Sequence, residues 1–133
     1  LNATRFWITL LQANQFIQDI IQDIWEKGTI FIPIIPSVLI TDVAKAIAPE
    51  SPIKVIGERP GDKLHELLVS LEESKRTWFD STRNCLIIEP EIRSWPFDSR
   101  VKYTCYGKEY SSKDNNFLTV EEIKETIDGF IRV

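Results

Sequence analysis

The 133-residue sequence has no methionine, one histidine (His65) and two cysteines (Cys85 and Cys105), and each shortage excludes a kind of chemistry. Two cysteines cannot make the disulfide framework of a small secreted domain, and they lack the clustered Cys/His spacing of a zinc site. A single histidine leaves metal chemistry almost without ligands. Long apolar runs are missing too. The stretches Ile30 to Ile35 and Val38 to Ile40 are interrupted by Pro33, Pro36 and Ser37, far short of the roughly 20 residues that span a bilayer. No signal peptide is recognisable. A soluble chain in a reducing, cytoplasmic setting without a membrane partner is expected. Because methionine is missing even at position 1, the chain is expected to be a processed product or a piece of a longer protein.

Excess positive charge is also lacking. With 16 basic and 20 acidic side chains the net charge is -4, so no global field draws in nucleic acid and any anion must be held locally. The large aromatics Phe6, Trp7, Trp25, Trp78 and Trp95 are read as core rather than as stacking platforms, since the basic residues are scattered rather than interleaved with them. A hydrophobic content of 43% against 27% charged residues is that of a globular protein, and the length suits one domain, residues 1 to 133.

Along the chain the expected class is mixed α/β, with short strands and about four helices. Apolar residues recur at helical spacing from Thr9 to Lys27, and Gly28 closes that run. Thr29 to Ile32 reads as a buried strand. Ser37 or Thr41 can cap a helix through Ala48, and Ile53 to Ile56 reads as a second strand. Leu64, Leu67, Leu68 and Leu71 share one face of a helix expected from about Asp62 to Leu71. Thr77 to Ser81 reads as a loop before a strand at Cys85 to Ile88, and Ile92 to Lys102 receives no regular structure. Tyr103 to Tyr110 can be extended, and Ser111 to Asn116 is turn-rich. Thr119 and Glu122 form a capping-box pattern for a last helix ended by Gly129.

The segment from Gly57 to Glu66, GERPGDKLHE, carries the most specific local signal. A strand giving way to a helix at a Pro-Gly turn would offer backbone N–H groups, a helix dipole and the Arg59 guanidinium to a diphosphate. The alternative is a plain structural corner in which Asp62 caps the helix and Arg59 is a surface cation. His65 invites comparison with a general base, yet no nucleophile or carboxylate partner is evident, which favours a packing or hydrogen-bonding role. The adjacent pairs Glu72-Glu73 and Glu121-Glu122 do not face one another on a helix and read as solvated faces. The five glycines are isolated, so none builds the turn that cradles a dinucleotide. No tyrosine is followed four positions later by lysine, the pair that short-chain dehydrogenases use.

Four blocks resemble, in order, the C-terminal half of bacterial inverting UDP-N-acetylglucosamine 4,6-dehydratases of the extended short-chain dehydrogenase/reductase type. They are Thr4 to Leu10, Ile30 to Ser37, Thr41 to Ile47 and Ile56 to Glu66. The tail from Glu109 to Ser112 and from Asn115 to Leu118 is similar as well. The resemblance implies a substrate-binding portion without the Rossmann half. In the whole parent NADP binds in that half, the sugar is oxidised at C4, water is eliminated across C5 and C6, and C5 is inverted. For this chain it implies no cofactor and no catalytic residue. It also implies UDP-sugar contacts from Arg59, Lys63 and His65, from Pro33, Ile34 and Ser37, and from Thr4, Arg5 and Phe6 at the domain junction. Ile34 stands where the family's usual pattern has lysine, which removes one phosphate or uracil contact, and Asp62 replaces glutamate conservatively. The implied partners are a UDP-sugar and the Rossmann half or subunit, with homo-oligomerisation through apolar surface left exposed. A stand-alone, non-catalytic interaction module pairing with a separate Rossmann-type subunit is the alternative.

Overall fold

Twelve short elements follow one another in the computed structural model, which describes residues 2–22, 25, 27–57, 59–91 and 104–131. The stretch from Ile92 to Lys102, Trp95 included, lies outside the described residues, as does Tyr103. The N-terminal half contains β1 (Thr4–Phe6), α1 (Leu10–Ile21), β2 (Ile30–Pro33), β3 (Ser37–Leu39) and α2 (Ile40–Ile47). Next come β4 (Leu67–Val69), α3 (Leu71–Ser74), β5 (Thr77–Asp80) and β6 (Cys85–Ile88). The chain continues through β7 (Thr104–Cys105), β8 (Tyr110–Ser111) and α4 (Val120–Ile131). The architecture is therefore mixed α/β, with four helices and several small sheets among the described residues.

Internal contacts divide these elements between two compact units, one of residues 1–9, 35–67 and 111–133, the other of residues 10–34 and 68–110. In the first, β1 and β3 form an antiparallel ladder in which Arg5 faces Val38. Val38, Ala46 and Ile123 make its buried core, and Trp7, Val43, Leu118 and Ile127 pack around them. Helix α2 starts without a side-chain cap. Thr41 lies inside it, and Ser37 is engaged elsewhere. Helix α4 does open on the expected capping box: the Thr119 N–H donates to the Glu122 carboxylate (2.8 Å), and the Glu122 N–H donates to the Thr119 hydroxyl (3.2 Å). It runs through Gly129 instead of ending there.

In the second unit β6 is central in a sheet of order β2-β6-β5-β7. All four β6 residues are buried, as expected of a strand covered on both faces. Within the segment expected as a loop, Thr77 to Asp80 is instead a strand held in register with β6, and only Ser81 belongs to the turn that follows. Helix α1 stops at Ile21, earlier than the apolar periodicity suggests. Trp25 lies beyond its end, where the indole N–H donates to the Ile20 carbonyl (3.0 Å) and the ring meets Phe31 edge-on. Gly28, at φ +91°, therefore serves the turn into β2 and does not close the helix.

Two other expectations fail. Residues 53–56 pair with no described strand, and no helix forms over residues 62–71. The leucines at 64, 67, 68 and 71 belong to a bend, to β4 and to the start of α3. Their spacing fits a helix, but Ser70 forms a capping box with Glu73 and begins the helix at Leu71. Among the described residues no helix is long and apolar enough to cross a membrane.

Candidate functional site

The first unit gathers distant polar residues into a buried knot. The Thr4 hydroxyl lies 2.8 Å from His65 Nδ1 and 2.7 Å from the Ser112 hydroxyl. The Glu66 N–H donates to Ser112 Oγ (2.8 Å), and the Ser112 N–H donates to the Glu66 carbonyl (2.9 Å). Around this core the Arg5 guanidinium donates to the Thr4 carbonyl (2.7 Å) and pairs with the Glu66 carboxylate (3.2 Å). Thr4, Arg5 and His65, chosen from sequence, are brought together. Ser112 and Glu66 complete the knot; Ser112 was legible only as part of the tail similarity. Phe6 pairs in register with Ser37 at the end of the β1-β3 ladder.

Arg59 and Lys63 lie just upstream on an exposed loop. Pro60 and Gly61 occupy the corner of a turn in which the Asp62 N–H donates to the Arg59 carbonyl (3.0 Å). Gly61 sits at φ +92°, the conformation a type II turn requires at its third position. The Asp62 carboxylate accepts the Arg59 N–H (3.0 Å). Since no helix begins here, there is no helix dipole to hold an anion, and two of the turn's N–H groups are already engaged internally. Anion binding at this corner would rest on the Arg59 and Lys63 side chains, which have no hydrogen bond or ion pair among the described residues.

Pro33 and Ile34 belong to the second unit. Pro33 pairs in register with Cys85 at the end of β2, and the Ile34 N–H donates to the Asn84 carbonyl (3.1 Å). Ser37 belongs to the first unit, is fully buried, and accepts a hydrogen bond from the Asn115 amide (2.9 Å). Its hydroxyl thus ties β3 to the residues preceding α4. A cleft of about 190 Å³ in the first unit is lined mainly by Ile40, Thr41, Ala44, Ile53, Lys54 and Ile56. It is smaller than the roughly 300–1,000 Å³ of an ordinary ligand pocket, so by itself it does not accommodate a nucleotide sugar.

The buried Cys85 thiol and the Glu73 carboxyl are structural. Burial pushes the Cys85 thiol up to about 11, so it stays protonated and poorly nucleophilic. The Glu73 carboxyl is held below its usual range by hydrogen bonds from the Ser70 backbone and hydroxyl. Neighbouring Glu72 pairs instead with Lys75 (2.7 Å). Glu72 and Glu73 are therefore not a catalytic couple. Among the described residues no group of His, Cys, Asp and Glu is placed to hold a metal ion.

Residues 1–86 match the family model described as polysaccharide biosynthesis protein. The chain is similar to a protein named UDP-N-acetylglucosamine 4,6-dehydratase (inverting) from Campylobacter jejuni serotype O:2, at 37% identity over 94% of this chain and 39% of that protein. The protein of the same name from serotype O:23/36 gives the same identity and coverage. A Methanocaldococcus jannaschii protein named an uncharacterized membrane protein is 28% identical over 95% of the chain. The crystal structure titled Pen from Bacillus thuringiensis superposes over 100% of this chain and 40% of its own, with a TM-score of 0.78 at 23% identity, a likeness of fold. The chain thus spans 39% of the length of its first curated relatives. On the match of residues 1–86, the chain belongs to the polysaccharide biosynthesis protein family.

Proposed function

We propose that this chain is the C-terminal, UDP-sugar-binding part of a 5-inverting UDP-N-acetylglucosamine 4,6-dehydratase of surface-polysaccharide or glycan biosynthesis, acting as a single domain in the cytoplasm and not catalytic alone. The observation that carries this reading is the 37% identity to two such enzymes over 94% of the chain. The residues present do not fit NADP. Gly28, Gly57, Gly61 and Gly107 sit apart from one another at positive φ, Gly129 lies within α4, and no glycine-rich passage from strand to helix exists among the described residues. Cofactor chemistry at C4, C5 and C6 of the sugar therefore belongs to the Rossmann half, and no step of it is assigned to this chain. Its own contribution is to bind and orient UDP. Arg59 and Lys63 meet the diphosphate, and Thr4, Arg5 and His65 of the same unit supply the hydrogen-bonding groups beside them.

Isothermal titration of the chain with UDP and UDP-N-acetylglucosamine tests this. Binding in the millimolar-to-micromolar range is expected. Arg59→Ala should weaken it by about 10- to 150-fold, the roughly 1.5–3 kcal/mol of a hydrogen bond to a charged group. A folded chain that gives no heat counts against ligand binding by this segment alone.

One observation favours the second reading, an interaction or oligomerisation module. Leu10, Leu11, Ile17 and Ile21 of α1 are all exposed, Leu11 at 76%, and apolar surface of this kind drives association. Under either reading the isolated chain is expected to form homodimers, and sedimentation as a monomer at high concentration would exclude that. Whether an upstream reading frame encodes a glycine-rich cofactor domain separates the two readings.

A further inference from the structure

The hydrogen bonds of the Thr4 knot have a direction that fixes the histidine. The Glu66 N–H can only donate, so Ser112 Oγ accepts from it at 2.8 Å. The Ser112 proton then has two possible acceptors, Thr4 Oγ1 at 2.7 Å and the Thr4 carbonyl at 3.3 Å. The first lies in the ordinary O–H···O range of about 2.5–3.0 Å and the second outside it. The Thr4 carbonyl is also already served by the Arg5 guanidinium at 2.7 Å. With the Ser112 proton on Thr4 Oγ1, the Thr4 proton goes to His65 Nδ1, 2.8 Å away. Nδ1 is then an acceptor, and the ring proton of neutral His65 sits on Nε2. The opposite direction would leave the Ser112 proton with only the long contact.

Thr4 and Ser112 are 3% and 0% exposed, so water does not compete for these bonds, while His65 is only half-buried. We propose that Ser112 and Thr4 are positioning residues that set His65 as an Nε2–H donor, presenting that N–H to an anionic oxygen of the nucleotide diphosphate. Nothing in the family match assigns such a role to Ser112. The proposal rests on the UDP-sugar reading of the same site.

His65 is the only histidine, so the ring-nitrogen NMR spectrum of the 15N-labelled chain reports it alone. At alkaline pH without ligand, Nδ1 is expected as an unprotonated acceptor and Nε2 as N–H. Adding UDP should move Nε2 far more than Nδ1. Thr4→Val should leave a mixture of tautomers and weaken UDP by about 3- to 10-fold, on the scale of one ordinary hydrogen bond. Thr4→Ser, which keeps the hydroxyl, should restore both. A proton found on Nδ1 in the unaltered chain, or a Thr4→Val spectrum unchanged from it, overturns the relay. UDP binding that leaves Nε2 unmoved overturns the donor role while the UDP reading stands. Absence of UDP binding in every variant, the unaltered chain included, overturns both.

Discussion

Replacing Leu86 by alanine should destabilise the chain by about 2–5 kcal/mol, the cost of emptying a fully buried leucine site. Leu86 is 0% exposed in the middle of β6, where it stands opposite Ile32 of β2 on one side and Phe79 of β5 on the other. Both neighbouring strands are hydrogen-bonded through β6. The cavity therefore cannot be closed by moving one strand without disturbing the other ladder. At concentrations low enough to keep the chain monomeric, Leu11→Ala removes the same atoms from a side chain that is 76% exposed on α1, and a surface change of this kind stays within about 0.5 kcal/mol. Urea unfolding of the two variants side by side checks the contrast. Equal midpoints would mean that β6 is not a structural centre.

That contrast also shows how far periodicity carries. Leu10, Leu11, Ile17 and Ile21 gave α1 a clear helical pattern, and the helix is there, yet none of its residues is buried. Pattern reports which face is apolar and not whether anything covers it. Cys85 to Ile88 was legible as a strand because four consecutive apolar residues bounded by polar ones suit a strand covered on both faces. Thr77 to Asp80 was missed because Thr77 and Asp80, its two buried polar residues, read as loop chemistry. The structure satisfies both locally: the Thr77 hydroxyl donates to the Glu73 carbonyl (2.7 Å), and Asp80 binds the turn between β5 and β6.

In the candidate site the Pro60-Gly61 turn was legible, but the leucine-rich stretch after it was misjudged. A helix was expected from the leucine spacing, whereas the strand at Leu67–Val69 and the Ser70 cap divide that stretch. The Thr4, His65 and Ser112 contact joins residues 61 and 108 positions apart. Each is ordinary within its own segment, so only tertiary structure brings the knot into view.

Asp80 carries the other large effect. Its side chain is 5% exposed and pairs with the Arg83 guanidinium at 2.9 Å, while the N–H of Thr82 donates to it at 2.9 Å and that of Arg83 at 3.3 Å. Asp80→Ala leaves those donors without their acceptor at the turn between β5 and β6. Arg83 is 28% exposed and can recover some hydration, so the loss should fall near the lower edge of the roughly 3–5 kcal/mol seen when a buried pair is broken, about 3 kcal/mol. The same carboxylate gives the fold an acid sensitivity. Burial pushes the Asp80 carboxyl up, but the hydrogen bond from the Arg83 side chain and those from the Thr82 and Arg83 N–H groups outweigh it, and the carboxyl titrates below its usual range. The folded chain then binds this proton less tightly than the unfolded chain does. Its stabilisation is complete above the ordinary aspartate value of about 3.9 and is lost as the pH falls through the lower folded value. Urea midpoints for the unaltered chain and Asp80→Asn should therefore differ clearly at pH 7, begin to approach one another below about pH 3.9 and come together only as the pH falls below the lower folded value. A difference that stays constant with pH would show that the loss comes from replacing an acceptor oxygen by an amide NH2, with no contribution from the charge of Asp80.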